Sequence, residues 1–209
     1  MKPSKMSRKK TKEEYRMRTH LIHGNFESKK WEYSHHVNPP MSASAMYRLS
    51  STHRGSQGFF EFASECMQDT RHIPIYVYDR LDEPSRGMLE ENLAYAEGGE
   101  ICVTFSTGMA AISAVVGVLG EAGDEIVAHQ VTYGCTYSLF NNWLPRFGIK
   151  VVWTDINNEE ALHKAIRDKT RMLYFETPIN PTLTLVDIAA IRKTVDEINS
   201  SRPEEQHIK

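Results

Sequence analysis

"TFSTGMAAISAVVGVLGEAGDEIV", residues 104–127, decides how the chain is read. An apolar run, "ICVTF" (101–105), gives way to small residues at Ser106, Thr107 and Gly108, and then to the apolar pattern "MAAISAVVGVLG" (109–120). The spacing predicts a strand followed by a helix, with Gly120 and Gly123 punctuating its end and "EIVAH" (125–129) as the next strand. A strand that hands over to a helix through Ser-Thr-Gly offers free first-turn amides, a hydroxyl and the positive helix end, which together suit a phosphate. The same residues serve equally as an ordinary N-cap. Neither GxxxxGK[ST] nor GxGxxG occurs, so this is neither a P-loop nor a dinucleotide fingerprint.

The alternation continues outward. A helix is expected from about Thr136 to Phe147, then a third strand at "KVVWTD" (150–155). Asn158 can cap a helix carrying Glu159, Ala161, Leu162 and Ile166. "RMLYFET" (171–177) reads as a fourth strand, and Asp187 opens a helix with Ile188, Ile191, Val195 and Ile198 on one face. Repeated βα units imply an α/β fold whose largely parallel sheet is covered by helices. Ligands of such sheets sit beyond the carboxyl ends of the strands. Candidate chemistry collects there: Ser106–Met109, "VTYGCTY" (131–137) and "ETPINP" (176–181).

Each candidate has two readings. Tyr133 can lie flat against a planar ligand, with Gly134 giving the chain room to turn, or simply pack at the sheet margin. Pro178 and Pro181 stiffen the loop holding Glu176 and Asn180, although turns also favour Asn and Pro. In "YVYDRLDEPSRGMLEE" (76–91), Tyr78 and Arg80 stand two apart, on one face of an extended segment. They form either a phosphate clamp or, through Arg80, a surface salt bridge with Asp79, Asp82 or Glu83.

Composition narrows the class. With 25 basic and 27 acidic residues in 209 and a formal charge of −2, no global field recruits nucleic acid or a membrane surface. No apolar run approaches the roughly 20 residues that span a bilayer. Cys66, Cys102 and Cys135 are odd in number and widely spaced, which points to a reducing cytoplasm. His20, His23, His35 and His36 lack a carboxylate constellation, so no metal is expected. Residues 1–79 read as an extended N-terminal arm, disordered over 1–20, and 80–209 as the βα domain.

Taken in order, "YDRLDEPSRGMLEENLAYAEGGE" (78–100), "TFSTGMAAISA" (104–114), "TYGCTYSLF" (132–140) and "YFETPINPTL" (174–183) resemble a known family. It is the cystathionine γ-synthase, cystathionine γ-lyase and methionine γ-lyase group of pyridoxal-phosphate enzymes of cysteine and methionine metabolism. The resemblance covers roughly residues 76–198. It implies the aspartate-aminotransferase-like (PLP fold type I) large domain, here its first half with the N-terminal arm. It also implies γ-elimination or γ-replacement on sulfur-containing or O-acylated amino acids, by a lyase or transferase.

By this resemblance Thr107, Gly108 and Met109 hold the cofactor phosphate, and Tyr133 stacks on the ring and assists proton transfer. Glu176 and Asn180 belong to the cofactor turn, with Asn180 near the ring's phenolic oxygen. Tyr78 and Arg80 reach the cofactor phosphate of a neighbouring subunit, which implies a homodimer or homotetramer. Cys135 matches the cysteine of methionine γ-lyases, close to substrate. The chain departs from the family in having Tyr-Asp-Arg and "LDEPS" where Tyr-Ser-Arg and a Ser-Asn-Pro-Thr type run are common.

The family's Asp-bearing strand and Ser-x-Thr-Lys segment find no counterpart before Lys209. No lysine lies between Lys30 and Lys150, Lys164, Lys169 and Lys193 read as solvated, and Lys209 as a mobile end. The 209 residues alone are therefore expected not to be a competent lyase. The alternative is a non-catalytic remnant or an oligomerisation partner of a longer relative.

Overall fold

The computed structural model describes residues 16–24, 41–63 and 74–209. Their packing divides into two compact units, residues 1–104 and 105–209. That division falls later than the change of sequence texture near residue 80. Of the arm, residues 1–15 lie outside the described residues, as do His35, His36 and Cys66. The stretch Met17–His23 forms helix α1 rather than a disordered tail, and its His20 ring is buried flat against Tyr95, 3.4 Å between centroids.

In the first unit, α2 (Thr52–Phe62) is capped by the Ser51 side chain, and Gly58 fits where a Cβ would meet Val77 Cγ2 at 2.6 Å. Helix α3 (Pro84–Glu97) starts on Glu83, whose carboxylate accepts from the Ser85 and Arg86 amides, and Pro84 occupies the first turn without losing a bond. The segment 101–105 forms no strand, contrary to the sequence reading. Thr104 gives both its N–H and its hydroxyl to Glu90 Oε1, each at 2.8 Å, instead of to a ladder. Ile101 and Val103 stay exposed. An apolar run becomes a strand only beside a partner, and none pairs with it among the described residues.

The second unit opens with α4 (Gly108–Leu119) and builds a parallel sheet of order β2-β1-β3 from β1 (Glu125–His129), β2 (Lys150–Thr154) and β3 (Thr170–Tyr174). The central β1 is buried at every position. The expected helix after β1 is present as a continuous helical run with three hydrogen-bond registers: α5 (Gly134–Ser138), a π turn (139–143) and a 3-10 turn (144–147). It stops at Gly148, whose φ of 77° suits glycine and whose missing Cβ leaves room for Ala122 Cβ at 3.3 Å. Asn158 and Asp187 cap α6 (Glu159–Ala165) and α7 (Ile188–Asn199), each side chain accepting the amide three residues on at 3.0 Å.

Strand alternation sorts the core into two faces. Val127 packs with Leu162, Ile179, Ile191 and Val195 on one, and Ile126 and Ala128 with Val116, Phe140, Leu144 and Met172 on the other. Lys209 is not a loose end. Its N–H donates to Arg171 C=O at 2.9 Å and its C=O accepts from Leu173 N–H at 3.0 Å, while Ile208 is clasped on both sides by the Asn199 amide.

Phe140 is fully buried, edge-on to Tyr174 at 4.9 Å and 6.1 Å from Trp153. Phe140→Ala is expected to destabilise the second unit by about 3–5 kcal/mol, since aromatic truncation loses both transfer energy and packing. Chemical denaturation followed by Trp153 fluorescence measures it.

Candidate functional site

Three loops leave the carboxyl side of the second unit's sheet and the start of α4. In the first, Thr107 is extended and its hydroxyl accepts the Ala110 amide at 3.0 Å, so the residue is the N-cap of α4. Gly108 and Met109 then supply the first two amides of the helix, which have no intrahelical acceptor. A Cβ on Gly108 would meet nothing within 4 Å. The space beside Gly108 is therefore open, and the Thr107 hydroxyl acts as the N-cap.

The second loop carries Tyr133 at the entry to α5, 43% exposed. Its ring is exposed at the surface. Cys135 Sγ lies 3.4 Å from Tyr133 Oη, and sharing a proton with the thiol, followed by repulsion from its anion, pushes the phenol above its ordinary value. At neutral pH the group is a proton donor. Gly134 faces open space as well.

The third loop follows β3. Ile179 is fully buried and anchors it in the core, its amide donating to Thr184 C=O at 2.9 Å, while Thr177 Oγ1 accepts the Val186 amide at 3.0 Å. The peptides before Pro178 and Pro181 are both cis. Asn180 is exposed. Glu176 turns toward the second loop, its Oε1 accepting from Thr132 Oγ1 at 2.7 Å, Tyr133 N–H at 2.9 Å and Tyr174 Oη at 3.3 Å.

A buried contact also joins the first loop to the second, with Thr136 Oγ1, 0% exposed, 3.7 Å from Met109 Sδ. Thr107–Met109, Tyr133, Cys135 and Glu176 are thus brought into one connected set, with Asn180 on the same loop as Glu176. Sequence reading missed Thr132, Thr136 and Tyr174. Their signal was present, since residues 174 and 176 share one side of an extended chain and Thr132 and Thr136 flank the tyrosine-glycine pair.

Tyr78 and Arg80 belong to the first unit. Tyr78 bridges antiparallel to Met46, the chain turns over 79–81, and the Arg80 guanidinium lies 4.9 Å above the Tyr78 ring. The nearby acids serve other partners: Asp79 and Asp82 face Arg86 at 3.6 and 3.9 Å, and Glu83 caps α3. The phenol and guanidinium form a stacked, exposed pair. Among the described residues no cluster of three His, Cys, Asp or Glu could hold a metal, and no helix is long and apolar enough to cross a membrane.

The chain is similar to proteins already known. An L-methionine gamma-lyase of Treponema denticola is 42% identical over 118 residues, covering 56% of this chain and 29% of its own. The rat cystathionine gamma-lyase is 37% identical over 120 residues, covering 57% of this chain and 30% of its own. A Campylobacter jejuni structure that carries N′-pyridoxyl-lysine-5′-monophosphate superposes with a TM-score of 0.71 at 25% identity, covering 88% of this chain and 42% of its own. The chain spans less than half the length of each of these relatives. The family model described as "Cys/Met metabolism PLP-dependent enzyme" matches residues 18–201, and the chain belongs to that family.

Proposed function

We propose that these residues form the phosphate-and-ring cradle of a pyridoxal-phosphate enzyme that cleaves or exchanges the γ-substituent of a sulfur-containing or O-acylated amino acid. The observation that carries the reading is the joining of an open helix start at Gly108 to an exposed aromatic ring at Tyr133 through Met109 and Thr136. One end suits a phosphate dianion and the other a flat ring, the two ends of a phosphorylated pyridine.

Bound pyridoxal phosphate supplies the electron sink for carbanion chemistry. The chain's own residues bind and orient. The Gly108 and Met109 amides and the α4 dipole hold the phosphate, Tyr133 stacks on the ring, and Asn180 donates toward the ring's phenolic oxygen. Tyr133, kept protonated beside Cys135, is suited to giving a proton to a leaving group; Cys135 lines the substrate side. Tyr78 and Arg80, stacked and exposed, serve the cofactor phosphate of a second copy in a homodimer or homotetramer. Free thiols at Cys102 and Cys135 suit a cytoplasmic setting.

Lysine placement separates the cradle from complete catalysis. Lys150 and Lys169 stand at the amino ends of β2 and β3, away from the loops, and Lys193 is 80% exposed on α7. Schiff-base chemistry needs an amine held at the aldehyde. Treating the 209-residue chain with pyridoxal phosphate and borohydride, then mapping the labelled peptides, is expected to show scattered labelling of exposed lysines. Stoichiometric labelling of one lysine together with γ-elimination activity would contradict this.

The cradle itself is tested with pyridoxine 5′-phosphate, which has no aldehyde and forms no Schiff base. Gly108→Val places a branched side chain in the open space before the first amides of α4 and is expected to weaken binding by about tenfold or more, roughly 1.4 kcal/mol. Calorimetry reads the affinity. Unchanged affinity in the variant would remove the phosphate turn from the proposal.

A further inference from the structure

The carboxylate of Glu176 is where the polar contacts beneath the cradle meet. Three donors converge on one oxygen, from Thr132, from the Tyr133 backbone and from Tyr174. Bonds to an ionised oxygen are about twice as strong as neutral ones, and a single amide oxygen offers only two lone pairs. The Tyr174 phenol is raised above its ordinary value, first by burial and then also by the charge of Glu176 beside it. Thr132, Tyr174 and the amide of Tyr133 therefore meet at Glu176, while Thr136 ties the second loop separately to Met109 at the first turn of α4.

We propose that Glu176 is a positioning residue rather than a cofactor ligand: its carboxylate clasps the backbone at Tyr133 to Tyr174 at the end of β3 and so sets where the aromatic platform stands relative to the sheet. Among the described residues the Tyr133 hydroxyl meets the Cys135 thiol, on the exposed side. The orientation of the Tyr133 ring also follows its backbone, and the backbone is held by this carboxylate. A small displacement of a platform changes binding steeply, because stacking and phosphate contacts must be made together. The inference rests on reading these loops as a cofactor cradle.

The test pairs a cofactor-free readout with a ligand. Hydrogen exchange at the Tyr133 amide and the affinity for pyridoxine 5′-phosphate are measured in the unaltered chain and in Glu176→Ala, Glu176→Gln and Tyr174→Phe. Glu176→Ala is expected to accelerate exchange at Tyr133 by about tenfold or more and to weaken the ligand by about tenfold, with exchange in β1 unchanged. Glu176→Gln, which keeps shape and an acceptor oxygen but loses the charge, should recover only part of both. Tyr174→Phe should move both in the same direction by a smaller factor, and add little in the Glu176→Ala background because the two act as one unit.

Loss of affinity with normal exchange at Tyr133 would make Glu176 a direct ligand and overturn the inference, as would no change in either measure. Faster exchange throughout the sheet in both Glu176 variants would reduce it to general support of the fold, which also overturns it. If the unaltered chain shows no affinity for pyridoxine 5′-phosphate, the cradle reading fails by itself, and exchange at Tyr133 still decides whether the clasp exists.

Discussion

The second unit hangs on β1, whose five residues are buried from end to end between two parallel neighbours. Burying backbone on both edges and side chains on both faces demands that every polar group be paired. The strand's own polar residues meet that demand at its ends. Glu125, at the amino end, faces Lys150 at 3.2 Å and Arg167 at 3.7 Å. His129, at the carboxyl end, accepts the Ile156 amide on Nδ1 at 3.2 Å, which requires the proton on Nε2. The second bond ties the exit of β1 to the turn before α6, so the loop that begins just past His129 starts from a fixed point. Tyr133 is four residues further on.

This constraint explains why much of the second unit was legible in the sequence. A strand buried on both faces must be nearly all apolar, and the centre of "EIVAH" satisfies that rule without alternation. The caps at Thr107, Asn158 and Asp187 were readable because each side chain acts within three residues of its own position. Thr107, Tyr133, Glu176 and Asn180 were readable as a group for a different reason: each follows a strand or precedes a helix, where a parallel sheet exposes its loops.

What escaped the sequence depends on partners far along the chain. "ICVTF" has the composition of a strand, yet strand formation is decided by a neighbour's hydrogen bonds, and Glu90, fourteen residues earlier, takes those of Thr104 instead. Lys209 looked mobile by position, but the Asn199 side chain secures Ile208 beside it and β3 accepts its backbone. A salt bridge from Arg80 to Asp79, Asp82 or Glu83 was one of its two readings, and those acids face Arg86 or cap α3 instead. Tyr174 read as a strand residue, since nothing in a local window shows that its hydroxyl ends at Glu176.

Under the proposed reading, the phenol beneath the cradle and the one within it have different tasks. Both are held protonated at neutral pH, but for different causes: burial comes first for Tyr174, and a shared proton with a neighbouring thiol for Tyr133. A buried phenol with its proton pointed at a carboxylate is a strut, because releasing the proton would place two negative charges together in a poorly solvated setting. An exposed phenol beside a thiol has solvent and ligand within reach, so its proton can be handed on. The distinction follows from position along the chain: Tyr174 is the last residue of β3 and stays with the sheet, whereas Tyr133 enters a helix from the surface. Placing the strut two residues from Glu176 and the donor's amide on the same carboxylate lets the sheet set the geometry of a group that must itself remain at the surface.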